Sequence, residues 1–155
     1  MPETARPAAA RGVPWRSVAL PVEHGGWSFL FEPVVLGLVL SPSLSGALLG
    51  LAALAGFLVR HPLRLVALDR RKGASYPRTA LALRFAAAYA GLAAAFAGLA
   101  LARSGPDFLS AVVLASPLAL FALAFDLTGR GREATAEVAG AIALGASSTA
   151  ILLAG

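Results

Sequence analysis

Three stretches of this chain, and one pair of isolated residues, carry residue types that can do chemistry. Glu23-His24-Gly25-Gly26-Trp27 sets a carboxylate and an imidazole beside two glycines. An imidazole exchanges protons near neutral pH, and paired glycines let a ligand or another backbone approach closely. The second stretch, residues 60–84 (RHPLRLVALDRRKGASYPRTALALR), holds Arg60, Arg64, Arg70, Arg71, Lys72, Arg78 and Arg84, from a total of 13 Lys and Arg. Arg60 and Arg64 stand at i and i+4, on one face of any helix there. Converging guanidinium forks suit a phosphate or carboxylate. The third stretch is Asp126 with Gly129-Arg130-Gly131-Arg132. Arg60, Arg64, Arg78, Arg84 and Arg130 are therefore the candidate anion-binding residues, and Glu23, His24 and Asp126 the candidates for orienting a ligand or moving a proton. Fourth, Glu32 and Arg84 stand alone inside apolar runs, where an ionisable group pairs or faces a polar cavity. Each has a plainer reading: caps for helix ends, an interfacial anchor at Trp27, a structural ion pair, and charge that merely orients the chain.

The elements that must position these residues are membrane helices. Of 155 residues, 58% are hydrophobic and 14% charged, with a mean hydropathy of +0.77. Ordinary globular chains are about 45–50% apolar and about 25% charged. The apolar blocks approach the roughly 20 residues that span a bilayer as helix, and they lack the strict alternation of a barrel strand. The expected fold is all-α, with about five transmembrane helices over residues 27–40, 44–60, 80–102, 108–126 and 137–154. Residues 1–20 read as a flexible basic tail and residues 21–155 as the helical transmembrane domain. Gly46-xxx-Gly50 permits close helix approach, Pro62 is placed to kink the second helix, and Thr79 reads as the N-cap of the third. Glu32 lies five residues past Trp27, about 7–8 Å deeper. Arg84 enters the third run to a similar depth from the same side, so the two are expected to pair.

Net charge is +5 and the sequence pI is near 11.1. In a membrane protein such charge reads as topology, with no nucleic-acid partner expected. All Lys and Arg except Arg103 fall in alternate loops, which places the N-terminus, residues 60–84 and the 127–137 connector in the cytoplasm. An Ala- and Arg-rich composition points to a bacterial inner membrane, crossed several times. The absence of cysteine excludes disulfides, and two histidines make a structural zinc site a poor fit. No metal is expected; Asp69 and Asp126 are the weak candidates.

Glu23-His24-Gly25-Gly26-Trp27 with Glu32-Pro33, then Asp69-Arg70-Arg71-x-Gly-x-x-Tyr76-Pro77-Arg78-Thr79, then Phe125-Asp126-x-x-Gly129-Arg130, resemble the YwiC-like family of bacterial integral membrane proteins. More distantly the layout is similar to UbiA-type prenyltransferases. That resemblance implies a larger helical bundle with a cytoplasm-facing cavity between the loops after helices two and four. It also implies magnesium, held by carboxylates, carrying an isoprenyl diphosphate. The chain departs from that pattern, since only Asp69 and Asp126 stand where the family places several aspartates. Cations around those two carboxylates favour binding an anion directly.

Two functions are consistent with these residues. One is a basic, cytoplasm-facing pocket for an anionic amphiphile, a lipid phosphate or isoprenoid diphosphate, with or without prenyltransferase-related chemistry. The other is a non-enzymatic membrane subunit or small transporter component, whose charged loops set topology and whose Gly- and Ala-rich helices pack against partner helices or a second copy.

Overall fold

The computed structural model describes residues 14–21, 26–73 and 76–155. Six α-helices appear among them: α1 (Trp15–Ala19), α2 (Gly26–Leu40), α3 (Leu44–Arg71), α4 (Pro77–Ser104), α5 (Leu109–Leu127) and α6 (Ala134–Ala154). The last four are long and apolar enough to cross a membrane; α2 is a shorter apolar helix. With the short turns between them, helices α2 to α6 run alternately up and down.

Local chemistry explains the helix ends. The Ser43 hydroxyl accepts from Gly46 N at 2.9 Å and starts α3. Pro77 opens α4, where a missing N–H costs nothing. Its N-cap is Tyr76 and not Thr79: the Thr79 hydroxyl accepts the Tyr76 N–H from within the first turn, at 3.2 Å. At the end of α5, Arg130 N donates to Phe125 O (2.9 Å) and Gly129 N to Asp126 O (3.0 Å). This closure needs a left-handed residue, and Gly129 supplies it at φ 82°.

Helix runs into the basic stretch from both sides, past the expected bounds at residues 60 and 80. Only residues 72–76 connect α3 to α4, and the two helices pack together as one long antiparallel hairpin. From Arg60 to Arg71, α3 continues for about 16 Å. The expected flexible tail lies mostly outside the described residues. Its described part includes α1, which packs on α3 and α4, with Val18 and Ala19 buried. His61 Nε2 donates to Ser17 O at 3.0 Å, and Tyr89 donates to Ala19 O at 3.3 Å.

Elsewhere α6 is the central helix, packed on α2, α3 and α5. Small residues bring these backbones together. A Cβ on Gly37 would meet Ile151 at 2.9 Å, one on Gly46 would meet Ile151 at 2.8 Å, and one on Gly50 would meet Val34 at 2.9 Å. The Gly46-xxx-Gly50 spacing thus seats α3 against both α6 and α2. α4 leans on α3 and leaves a gap toward α5.

Candidate functional site

Two ion-pair clusters lie toward the basic end of the bundle, both on α3. In the first, Arg60 donates from Nε to Asp126 Oδ2 at 2.7 Å, and its Nη2 contacts the same oxygen. The Asp126 side chain is 9% exposed and that of Arg60 33%. Arg60 also lies over the Phe57 ring, 5.9 Å from its centre, a favourable face for a cation. Arg60, His61, Arg64 and Asp126, with Phe57 and Pro21, line a small cavity of about 20 Å³. That volume holds about one water. Gly131 shares in the site: a Cβ there would collide with the Asp126 carboxylate. The Asp126-x-x-Gly129-Arg130-Gly131 spacing therefore does two things, turning the chain and leaving room for a nearly buried carboxylate.

The second cluster surrounds Asp69, which is 0% exposed. Arg78 grips it through Nη2 to Oδ1 (2.6 Å) and Nε to Oδ2 (3.2 Å), while the Thr79 hydroxyl donates to Oδ2 at 2.8 Å. This paired grip across the hairpin tip satisfies both carboxylate oxygens. It locks the turn from α3 into α4.

Beneath the first cluster runs an apolar cleft of about 500 Å³. Its sides are Ala93 and Ala97 of α4 and Val112, Ala115 and Ala119 of α5; its floor is Ala53 and Gly56 of α3 with Ala143 and Ala146 of α6. Phe57 and Arg60 belong to the walls of both the small cavity and the cleft. The two wall hydroxyls, Ser116 and Ser147, donate to carbonyls of their own helices, Val113 O and Leu144 O, so they leave the cleft surface apolar.

The remaining expected residues fall as follows. Glu23 and His24 lie outside the described residues. The structure does not bring Glu32 to Arg84: both are exposed, and no ion pair joins them among the described residues. The cause is packing, since α2 sits on α6 and α3 while α4 is held mainly by α3. Arg78 is committed to Asp69, and exposed Arg130 pairs with Glu133 at 2.5 Å. Of the five arginines, Arg60 and Arg64 share a cavity. His61, which the sequence reading passed over, shares it too; nothing in its spacing distinguished it from a loop histidine. Among the described residues no three His, Asp or Glu side chains gather as metal ligands would. Asp69 has both oxygens taken by Arg78 and Thr79, and Asp126 is held through Oδ2 by Arg60.

Apolar helices of spanning length, packed through glycines and with their ion pairs gathered toward one end, define a multi-pass helical membrane protein. The model of the YwiC-like protein family matches residues 20–152, and the chain belongs to that family. Comparison with curated proteins and with solved structures gave no match.

Proposed function

We propose that the basic end of this membrane protein binds the anionic head of an amphiphile, a lipid phosphate or isoprenoid diphosphate, at the mouth of the Arg60–Arg64 cavity. The observation that carries this reading is that Arg60 stands in the wall of both a polar cavity and a long apolar cleft. A molecule charged at one end and apolar along its length complements that junction. Asp126 engages Nε and Nη2 of Arg60, which leaves the donors of Nη1 for a ligand. Asp126 thereby positions Arg60. The cavity is water-sized, so the head group sits at its mouth and not within it. By the excess of Lys and Arg at this end, the mouth faces the cytoplasm of a bacterial plasma membrane.

Mass spectrometry of lipid copurifying with the chain tests this. A phosphate-bearing amphiphile is expected with the wild type and is lost in Arg60→Gln combined with Arg64→Gln. Retention of the same lipid by the double variant overturns the proposal.

One observation favours the alternative, a membrane subunit with partner helices. Gly91 and Gly98 of α4 face open space, where another helix could approach closely. Crosslinking along α4 that captures another helix, with no lipid bound at Arg60, would establish that reading instead.

A further inference from the structure

Helix α2 carries a charge at a depth where the bilayer offers it no water, and its contacts with α3 fix that depth. A Cβ on Gly50 would meet Val34, and one on Gly46 would meet Leu38. This antiparallel register puts Glu32 level with Ala52 of α3. Ala52 stands eight residues, about 12 Å, from Leu44 at the outer end of α3, and the same distance from Arg60 at the basic end. The hydrocarbon layer is about 30 Å thick, so Glu32 lies near its middle. Its side chain is exposed, and no ion pair reaches it among the described residues.

No helix of the bundle brings a cation to that level. α2, α5 and α6 contain no Lys or Arg. Val66 packs beside Ala82, which sets Arg84 level with Arg64, and Arg103 shares a cavity with Leu44 at the outer end. Each of these arginines is about 10 Å or more from the level of Glu32. A second polar group lies beside the carboxylate. Pro33, inside α2, has no N–H, so the Phe29 carbonyl four residues back loses its helical donor. Phe29 is three residues before Glu32 and shares its face.

Charge and depth decide what can cover such a face. Lipid tails offer neither a cation nor a donor, and an ionisable group left among them is costly. A calcium or magnesium ion takes six or more oxygen ligands; this face has one carboxylate, the Phe29 carbonyl and the Ser28 hydroxyl a turn away. A second copy in the same orientation brings no cation to this depth either. A foreign helix with a basic residue at its centre supplies both the counter-charge and the missing N–H. The face is also shaped as a helix seam: Phe29, Glu32, Leu36 and Val39 recur at spacings of three and four, the three apolar members each more than half exposed.

We infer that this seam of α2 docks a helix of a second membrane protein that carries an arginine or lysine near mid-membrane, its cation on Glu32 and one N–H on Phe29 O. A lone charge in an apolar seam fixes the register and rejects helices that bring no counter-charge. The inference is independent of the head-group reading, because no residue of α2 lines the Arg60 cavity or the apolar cleft.

The test uses the full chain in phosphatidylcholine vesicles, dye-labelled at Lys72→Cys, and reads energy transfer from synthetic leucine–alanine transmembrane helices. A helix with one central arginine should associate with the otherwise wild-type chain about tenfold more tightly than one with leucine there. Glu32→Gln should abolish that preference without moving the melting midpoint, since Glu32 has no partner within the chain. Glu32→Arg should transfer the preference to a helix with a central glutamate. Equal binding of the arginine and leucine helices, or a preference that survives Glu32→Gln, overturns the inference. So does self-association of the chain in these vesicles that Glu32→Gln abolishes, because the seam would then serve a second copy.

Discussion

Asp69 and Asp126 are both nearly buried aspartates that face arginine, yet they do different work. Asp69 is sealed, its oxygens shared between Arg78 and Thr79; Asp126 holds an arginine that keeps a third of its side chain exposed. Removing Arg78 strands a buried carboxylate, a loss of about 3–5 kcal/mol for a fully enclosed pair. Arg78 is 43% exposed, so water reaches the gap and the expected cost of Arg78→Ala falls to about 2–3 kcal/mol. Thr79→Val removes a donor to the Asp69 carboxylate and the acceptor of the Tyr76 N–H, and should cost about 1.5–2 kcal/mol. Thermal unfolding in detergent should rank them in that order, with Arg78→Lys intermediate because an ammonium cannot make the paired contact. The reverse order would show that Thr79, through the Tyr76 N–H, is the stronger lock. At this scale the sequence revealed which residues were unusual. It did not reveal partners: Asp69 and Arg78 are nine positions apart, but Arg60 meets Asp126 only because α3 and α5 pack together.

At the scale of elements, the helices follow from apolar runs, and their ends from Ser43, Pro77 and Gly129. The residue-level contacts between them depend on where Cβ atoms are missing. Gly37 and Gly46 lie against Ile151, whereas Gly91 and Gly98 have open space around them. Gly46→Leu should overpack the α3–α6 contact and cost about 1–3 kcal/mol or more, while Gly98→Leu should leave the melting midpoint nearly unchanged. Equal effects would mean that α4 is packed against another helix in the membrane. The basic stretch shows how a charged segment continues a helix. Leu63, Leu65, Val66 and Leu68 interleave the arginines, and Val66 is buried beside Val18 and Ala82. A helix with one apolar stripe tolerates charge on its other faces, so α3 continues through residues that count as a loop by charge.

For the whole molecule, the distribution of Lys and Arg predicts which end is cytoplasmic, and the chain's lack of cysteine makes that easy to check. Lys72→Cys should resist an impermeant maleimide in intact cells and react after lysis, while Asp107→Cys should react from outside. The opposite labelling would invert the topology. By itself the sequence determined the membrane solvent, the all-helical class, the five apolar runs and the family, because each follows from composition or from short local spacings. Only the tertiary structure decided that Arg60 and Arg64 share a cavity, that Arg78 is spent on Asp69, and that Glu32 and Arg84 lie on helices that do not pair. The physical reason is that depth along a helix is set by counting residues, whereas the face it presents and its neighbour are set by packing. For α6, that packing turns on glycines at positions 37 and 46 making room for one isoleucine, a pairing that no local spacing encodes.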